Sequence, residues 1–191
     1  MDKAELIRQQ IQDSVHTKQA MFEACGRDIG RAAEIMISAV LEKRKIMWCG
    51  NGGSAADSQH LSAELVGKLR QIRPALASIA LTTDTSFITA WANDVDYQTI
   101  FSRQVEALGK PGDVLIAIST SGNSPNILAA IQTARDLFLD TIVFTGKDGG
   151  KMGAAANAVI RIPSNDTQRI QEGHILTGHI LCDLVEQAIM D

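Results

Sequence analysis

An α/β fold with a parallel sheet covered on both faces is what this sequence predicts, and three observations predict it. Five short apolar runs recur along the chain, bounded by Gly, Ser, Thr, Asn or Asp. They are apolar at consecutive rather than alternate positions, the pattern of strands buried on both faces. Between them lie longer segments whose apolar residues return at helical spacing. Strands and helices alternating in this way read as a three-layer sandwich around a five-stranded parallel sheet, doubly wound as in flavodoxin, with extra N-terminal helices. A chain of 191 residues, 45% hydrophobic, suits a single domain over 1–191, with N-terminal helices at 1–43 and an α/β core at 44–191.

In chain order, residues 2–22 predict a helix carrying Leu6, Ile7, Ile11, Val15 and Ala20, and Gly26 predicts its end. A second helix follows over 29–41. The first strand is expected at 45–49, then a glycine loop over Asn51, Gly52 and Gly53, then a helix from Ala55 with Leu61, Leu65 and Leu69 on one side. A short strand is expected at 78–81, a helix at 86–92 broken by Asn93-Asp94, and a helix at 97–108 ended by Gly109. The third strand, 113–118, runs into STSGNS at 119–124. Pro125 then stands where a first helical residue would, and the helix runs to 137. Strands at 141–145 and 158–162 flank TGKDGGKM, and a last helix covers 168–190.

Composition excludes several classes. Eighteen basic against 22 acidic residues, net charge −4 and no basic run argue against nucleic acid as a partner. No apolar run approaches the roughly 20 residues of a membrane helix, and the polar N-terminus lacks a signal-peptide core. Three cysteines without repeated spacing read as reduced thiols, which places the protein in the cytoplasm.

In parallel sheets, ligands bind beyond the carboxyl ends of the strands. The loop CGNGGS aims backbone N–H groups and a helix N-terminus at one point, which suits an anion. It is neither GxGxxG nor GxxxxGK[ST], so no nucleotide is indicated, and glycine also serves any tight turn. STSGNS offers four hydroxyls at a strand end, suited to a phosphate monoester. Ser124 reads as the cap of the following helix, whereas Ser119, Thr120 and Ser121 exceed what capping requires. His60 and Glu64 stand four apart on one helical face. HxxxE spacing is common, and a helical histidine such as His179 is as a rule structural. These pieces gain force only together.

Together they resemble a known family. NGGSAADSQHLSAEL, AND at 92–94, STSGNS, TGKDGGKM and RIQEGHILTGHIL are similar to the SIS (sugar isomerase) domain family, over nearly the whole chain. STSGNS marks SIS domains broadly, and His60, Glu64, Gln171 and His179 mark its heptose phosphate isomerases. The resemblance implies conversion of sedoheptulose 7-phosphate to D-glycero-D-manno-heptose 7-phosphate, the first step of ADP-heptose synthesis for the lipopolysaccharide core. It implies a cytoplasmic homotetramer with active sites at subunit contacts. Asn51, Gly52, Gly53, Ser54, Glu64, Asn93, Asp94, Ser119, Thr120, Ser121, Ser124 and Gln171 would surround the sugar phosphate. One zinc ion per subunit would be bound by His60, Glu64, Gln171 and His179, with Glu64 and His179 as the catalytic acid/base pair. Lys68 and Gln168 depart from some relatives, which carry arginine and aspartate there.

Aldose–ketose isomerisation moves a proton between C1 and C2 through an enediol, work that a carboxylate and an imidazole suit. A metal would either polarise the carbonyl or organise the site. Two alternatives stand beside this reading. One is a non-catalytic SIS protein that binds a replication-initiator protein. The other is an amino-sugar phosphate isomerase or lyase, whose usual second domain has no room in this chain.

Overall fold

The computed structural model describes residues 2–190. Its sheet has five strands, β1 (Ile46–Gly50), β2 (Ser78–Ala80), β3 (Val114–Ile118), β4 (Asp140–Thr145) and β5 (Ala158–Arg161), in the order β2-β1-β3-β4-β5. Every neighbouring pair is parallel, with Ile46 opposite both Ser78 and Val114, Val114 opposite Asp140, and Ile142 opposite Ala158. This is the flavodoxin-like order, as expected.

The strands show why the apolar runs are continuous. Ile46 and Trp48 of β1, Val114 and Ile116 of β3, and Ile142 and Phe144 of β4 face one layer. Met47, Cys49, Leu115, Ala117 and Val143 face the other. The first layer is built from α1 (Lys3–Leu41), α2 (Gly53–Val66) and α6 (Thr167–Ala188). The second is built from α3 (Thr85–Asp94), α4 (Ile100–Leu108) and α5 (Pro125–Asp136). Cys25, Cys49 and Cys182 are buried free thiols. Among the described residues no helix is long and apolar enough to cross a membrane.

Four expectations are corrected. The N-terminal helices are one: α1 runs 39 residues, straight through Gly26 and Gly30. A mid-helix glycine costs about 1 kcal/mol relative to alanine. Burial of Met21, Cys25, Ile29, Ala32, Ala33, Met36 and Ala39 outweighs two of them. Asn93 and Asp94 do not break α3 but form its last turn, with Asp84 capping the start through the Phe87 N–H. The helix expected over 97–108 opens as a 3-10 turn at Tyr97–Thr99 before α4. The helix expected to carry Leu69 ends at Val66, with Gly67 as its C-cap, and the remaining boundaries fall within two residues of those expected.

Candidate functional site

At the carboxyl end of the sheet, α2 leaves β1 toward one layer while α5 leaves β3 toward the other. The crevice between these two neighbouring strands is the topological switch point, where such sheets bind ligands.

On one side stands the glycine cradle. Gly52 adopts φ 57°, a left-handed conformation that a side chain resists, and α2 begins at Gly53, two residues earlier than expected. A Cβ at Gly53 would lie 2.6 Å from the Gln171 Nε2, so a side chain there would displace the end of the Gln171 side chain from the cradle. Ser54 is almost fully buried behind it. Asn51 is engaged by protein: its Oδ1 accepts from Asn126 Nδ2 at 2.8 Å and from Tyr97 Oη at 3.0 Å, and its Nδ2 donates to Asn126 Oδ1 at 2.9 Å.

On the other side stands the hydroxyl loop. Ser119 Oγ lies 3.0 Å from Ser124 Oγ and 3.4 Å from Ser121 Oγ, a cluster of three hydroxyls at the start of α5. Ser124 occupies the N-cap position but its side chain makes no capping hydrogen bond. This corrects the expectation that Ser124 is spoken for as a cap. The hydroxyl faces Ser119. In the first turn of α5, Pro125 has no N–H, and Ile127 and Leu128 donate to the Ser124 carbonyl. The hydroxyls, rather than a row of free N–H groups, are therefore what this loop offers an anion. Thr120 and Ser121 also line a cavity of about 290 Å³ with Lys147, Ser164, Asn165 and Thr167.

The third group lies where α2 and α6 pack side by side. His60 Nε2 is 3.1 Å from Glu64 Oε1 and 3.2 Å from His179 Nε2. The imidazole rings are 5.0 Å apart at 67°. One donor atom from each of the three residues falls within 4.8 Å of the others, so the trio is a candidate metal-binding group. Facing imidazole nitrogens share either a proton or a cation. Tetrahedral zinc with bonds of about 2.0–2.1 Å sets its donors about 3.3 Å apart, close to the observed spacings.

The SIS domain profile matches residues 10–146. The chain belongs to the SIS domain family. This SIS chain is 51% identical over 189 residues to the phosphoheptose isomerase of Aromatoleum aromaticum, covering 97% of this chain and 96% of that protein. Among solved structures, a phosphoheptose isomerase from Neisseria gonorrhoeae superposes with TM-score 0.92 at 41% identity, covering 97% of this chain and 100% of that one. A phosphoheptose isomerase from Francisella tularensis superposes with TM-score 0.94 at 37% identity, covering 98% and 100%.

The SIS fold thus brings His60, Glu64 and His179 together and sets Asn51–Ser54 across a crevice from Ser119–Ser124. Gln171 is placed differently. Its amide rests against Gly53, whose backbone lies seven residues before His60, about 10 Å along the axis of α2. Asn93 and Asp94 bond to each other through Nδ2 and Oδ1 at 2.7 Å. Three residues were not singled out by sequence reasoning. Tyr97 and Asn126 hold Asn51, and only the fold places them there. Asp57 shares the stripe Gly53, Asp57, His60, Glu64, a helical spacing visible in the sequence. Burial pushes its carboxyl up to about 6 against the pull of His60, and its Oδ2 is buried without a partner.

Proposed function

We propose that this SIS chain isomerises sedoheptulose 7-phosphate to D-glycero-D-manno-heptose 7-phosphate. The observation that carries this reading is the convergence of Glu64 with two imidazoles, in a chain whose near-full-length relatives are phosphoheptose isomerases.

The substrate phosphate is received by Ser119, Thr120, Ser121 and Ser124, and the Asn51–Ser54 cradle orients the sugar chain. The Glu64 carboxylate takes a proton from C1. His179 supplies a proton to the carbonyl oxygen at C2 and accepts the one leaving the C1 hydroxyl, giving the enediol and then the aldehyde. Glu64 returns its proton to C2, so the carboxylate ends as it began and atoms balance. Both groups sit on packed helices rather than loops, which fixes their approach.

His60, Glu64 and His179 are the residues that hold a metal in this reading, with zinc favoured by two imidazoles, one carboxylate and the donor spacing. Bound there, zinc supplies Lewis-acid polarisation of the substrate oxygens. Gln171 is the expected fourth donor. Because its amide rests at Gly53, reaching the trio requires either a swing of the side chain or the same residue of a second copy.

Assembly as a homotetramer with sites at subunit contacts belongs to the same reading. The N-terminal half of α1 exposes Leu6, Ile7, Ile11 and Val15, and His60 is exposed at the trio. An apolar stripe standing in water is what a second copy covers.

Metal analysis tests the metal assignment. One zinc per subunit is expected, lost as pH falls through the histidine range because protonated imidazole cannot coordinate. His179→Gln should lower zinc content and activity together. Full activity of chelator-treated enzyme, unchanged by added zinc, would contradict it.

A further inference from the structure

The switch-point crevice is crossed by side-chain hydrogen bonds at one place. Asn51, which follows β1, and Asn126, the second residue of α5, exchange reciprocal carboxamide bonds of 2.9 and 2.8 Å. Among the described residues no other side-chain hydrogen bond joins 50–60 to 119–126. The Tyr97 hydroxyl adds a third bond to Asn51 Oδ1 from the segment between α3 and α4. Asn126 is buried, with 3% of its surface exposed, while Tyr97 is half exposed.

We propose that Asn126 and Tyr97 are positioning residues, which clamp Asn51 and thereby set the distance between the glycine cradle and the phosphate-receiving loop. The proposal rests on the isomerase reading above.

The chemistry of the pair suits this task. A reciprocal carboxamide pair has two parallel N–H···O bonds, so it fixes orientation as well as distance. It is neutral, so it adds no charge that repels the substrate phosphate beside it. It does not titrate, so its geometry holds across the working pH range. Both lone pairs of Asn51 Oδ1 are filled, one by Asn126 and one by Tyr97, which leaves one Nδ2–H directed away from the pair for the sugar. The two strands end adjacent, but their helices diverge into opposite layers. Without the clamp, Asn51 and Gly52 are tied to the phosphate loop only through the sheet below. A ligand held by its phosphate at one wall and by its sugar chain at the other is sensitive to that spacing, since misplacement by about 1 Å can cost a hundredfold in rate.

Steady-state kinetics with sedoheptulose 7-phosphate, and inhibition by inorganic phosphate, test this in wild type, Asn126→Ala, Tyr97→Phe and the double variant. Asn126→Ala should lower kcat by at least about tenfold while the inhibition constant of phosphate stays within about twofold. Tyr97→Phe should lower kcat by less. In the double variant, loss of the Tyr97 hydroxyl should add less than about twofold, because both residues act through Asn51. Because Tyr97 is half exposed, its variant folds even if Asn126→Ala does not, and an unchanged kcat in Tyr97→Phe overturns the clamp. So does a kcat for folded Asn126→Ala within twofold of wild type with only thermal stability lowered, or a fully multiplicative double variant. A raised phosphate inhibition constant with unchanged kcat overturns it too, by making Asn126 a direct phosphate ligand. Wild type that fails to convert sedoheptulose 7-phosphate overturns the isomerase reading and the clamp with it.

Discussion

The imidazole of His174 is fully buried beside Phe144, its Nε2 3.2 Å from the Thr145 carbonyl and its Nδ1 without a partner. Burial pushes its pKa down to about 4. The unfolded chain protonates this residue near 6.5, so the neutral form is what folding favours. The resulting stability is complete above pH 6.5 and is lost as pH falls toward 4, a loss on the order of 3 kcal/mol. Asp57 titrates in the opposite sense within the same window. Comparing wild type with His174→Asn by urea denaturation cancels that contribution. Between pH 7 and pH 4.5 the wild type should lose more stability than the variant. Parallel losses would show that His174 is not held neutral. The sequence marks His174 as one of two histidines in RIQEGHILTGHIL, without distinguishing it from His179. The neighbour decides: His174 meets the sheet, and His179 meets His60.

At the scale of elements, the segment after α2 is held by α6. Glu186, 1% exposed, accepts N–H groups from Leu69, Arg70 and Gln71, and Arg73 donates to the carbonyls of Glu64 and Leu65. Burial pushes the Glu186 carboxyl up, but those three N–H groups and the Arg73 guanidinium outweigh it and hold the carboxyl below its ordinary range. Glu186→Ala leaves a buried arginine without its carboxylate and should destabilise the fold by about 3–5 kcal/mol in denaturant titration. A change below about 1 kcal/mol would mean that water replaces the carboxylate. Helix α1 divides at about Met21: its later half is buried and its first half is not. Deleting residues 2–17 should therefore leave the core folded and convert the proposed tetramer to smaller species in light scattering. A truncated chain that stays tetrameric would make the stripe a surface feature only.

At the scale of the molecule, the sheet was legible because each buried strand writes a continuous apolar run and each helix a period of 3.6 residues. Alternation of the two implies a parallel sheet covered on both faces but not the strand order or the switch point, which the pairing of the strands in the fold sets. What the residues alone did not yield were features created by meetings across the fold. Asn126 and Tyr97 carry no motif, and their partner Asn51 lies 75 and 46 positions away. The uncapped Ser124 looked like an ordinary N-cap because its position is one, and only its rotamer turns the hydroxyl toward Ser119. Gly26 looked like a break because local propensity was read without the packing that carries α1 through it. His60 and Glu64 were legible as a pair, and His179 joins them because α2 and α6 lie side by side.

The central claim is that Glu64 moves a proton between C1 and C2 of a ketose phosphate. It is tested most directly by following sedoheptulose 7-phosphate in deuterium oxide by nuclear magnetic resonance, with wild type and Glu64→Gln side by side. Wild type should form the aldose phosphate, with deuterium at C2 in the fraction of turnovers in which the Glu64 carboxyl exchanges its proton with solvent before returning it. Glu64→Gln, folded as wild type, should neither form product nor exchange hydrogen at C1. Conversion by Glu64→Gln within about tenfold of wild type, a barrier change of only about 1.4 kcal/mol, would contradict the assignment of Glu64 as base.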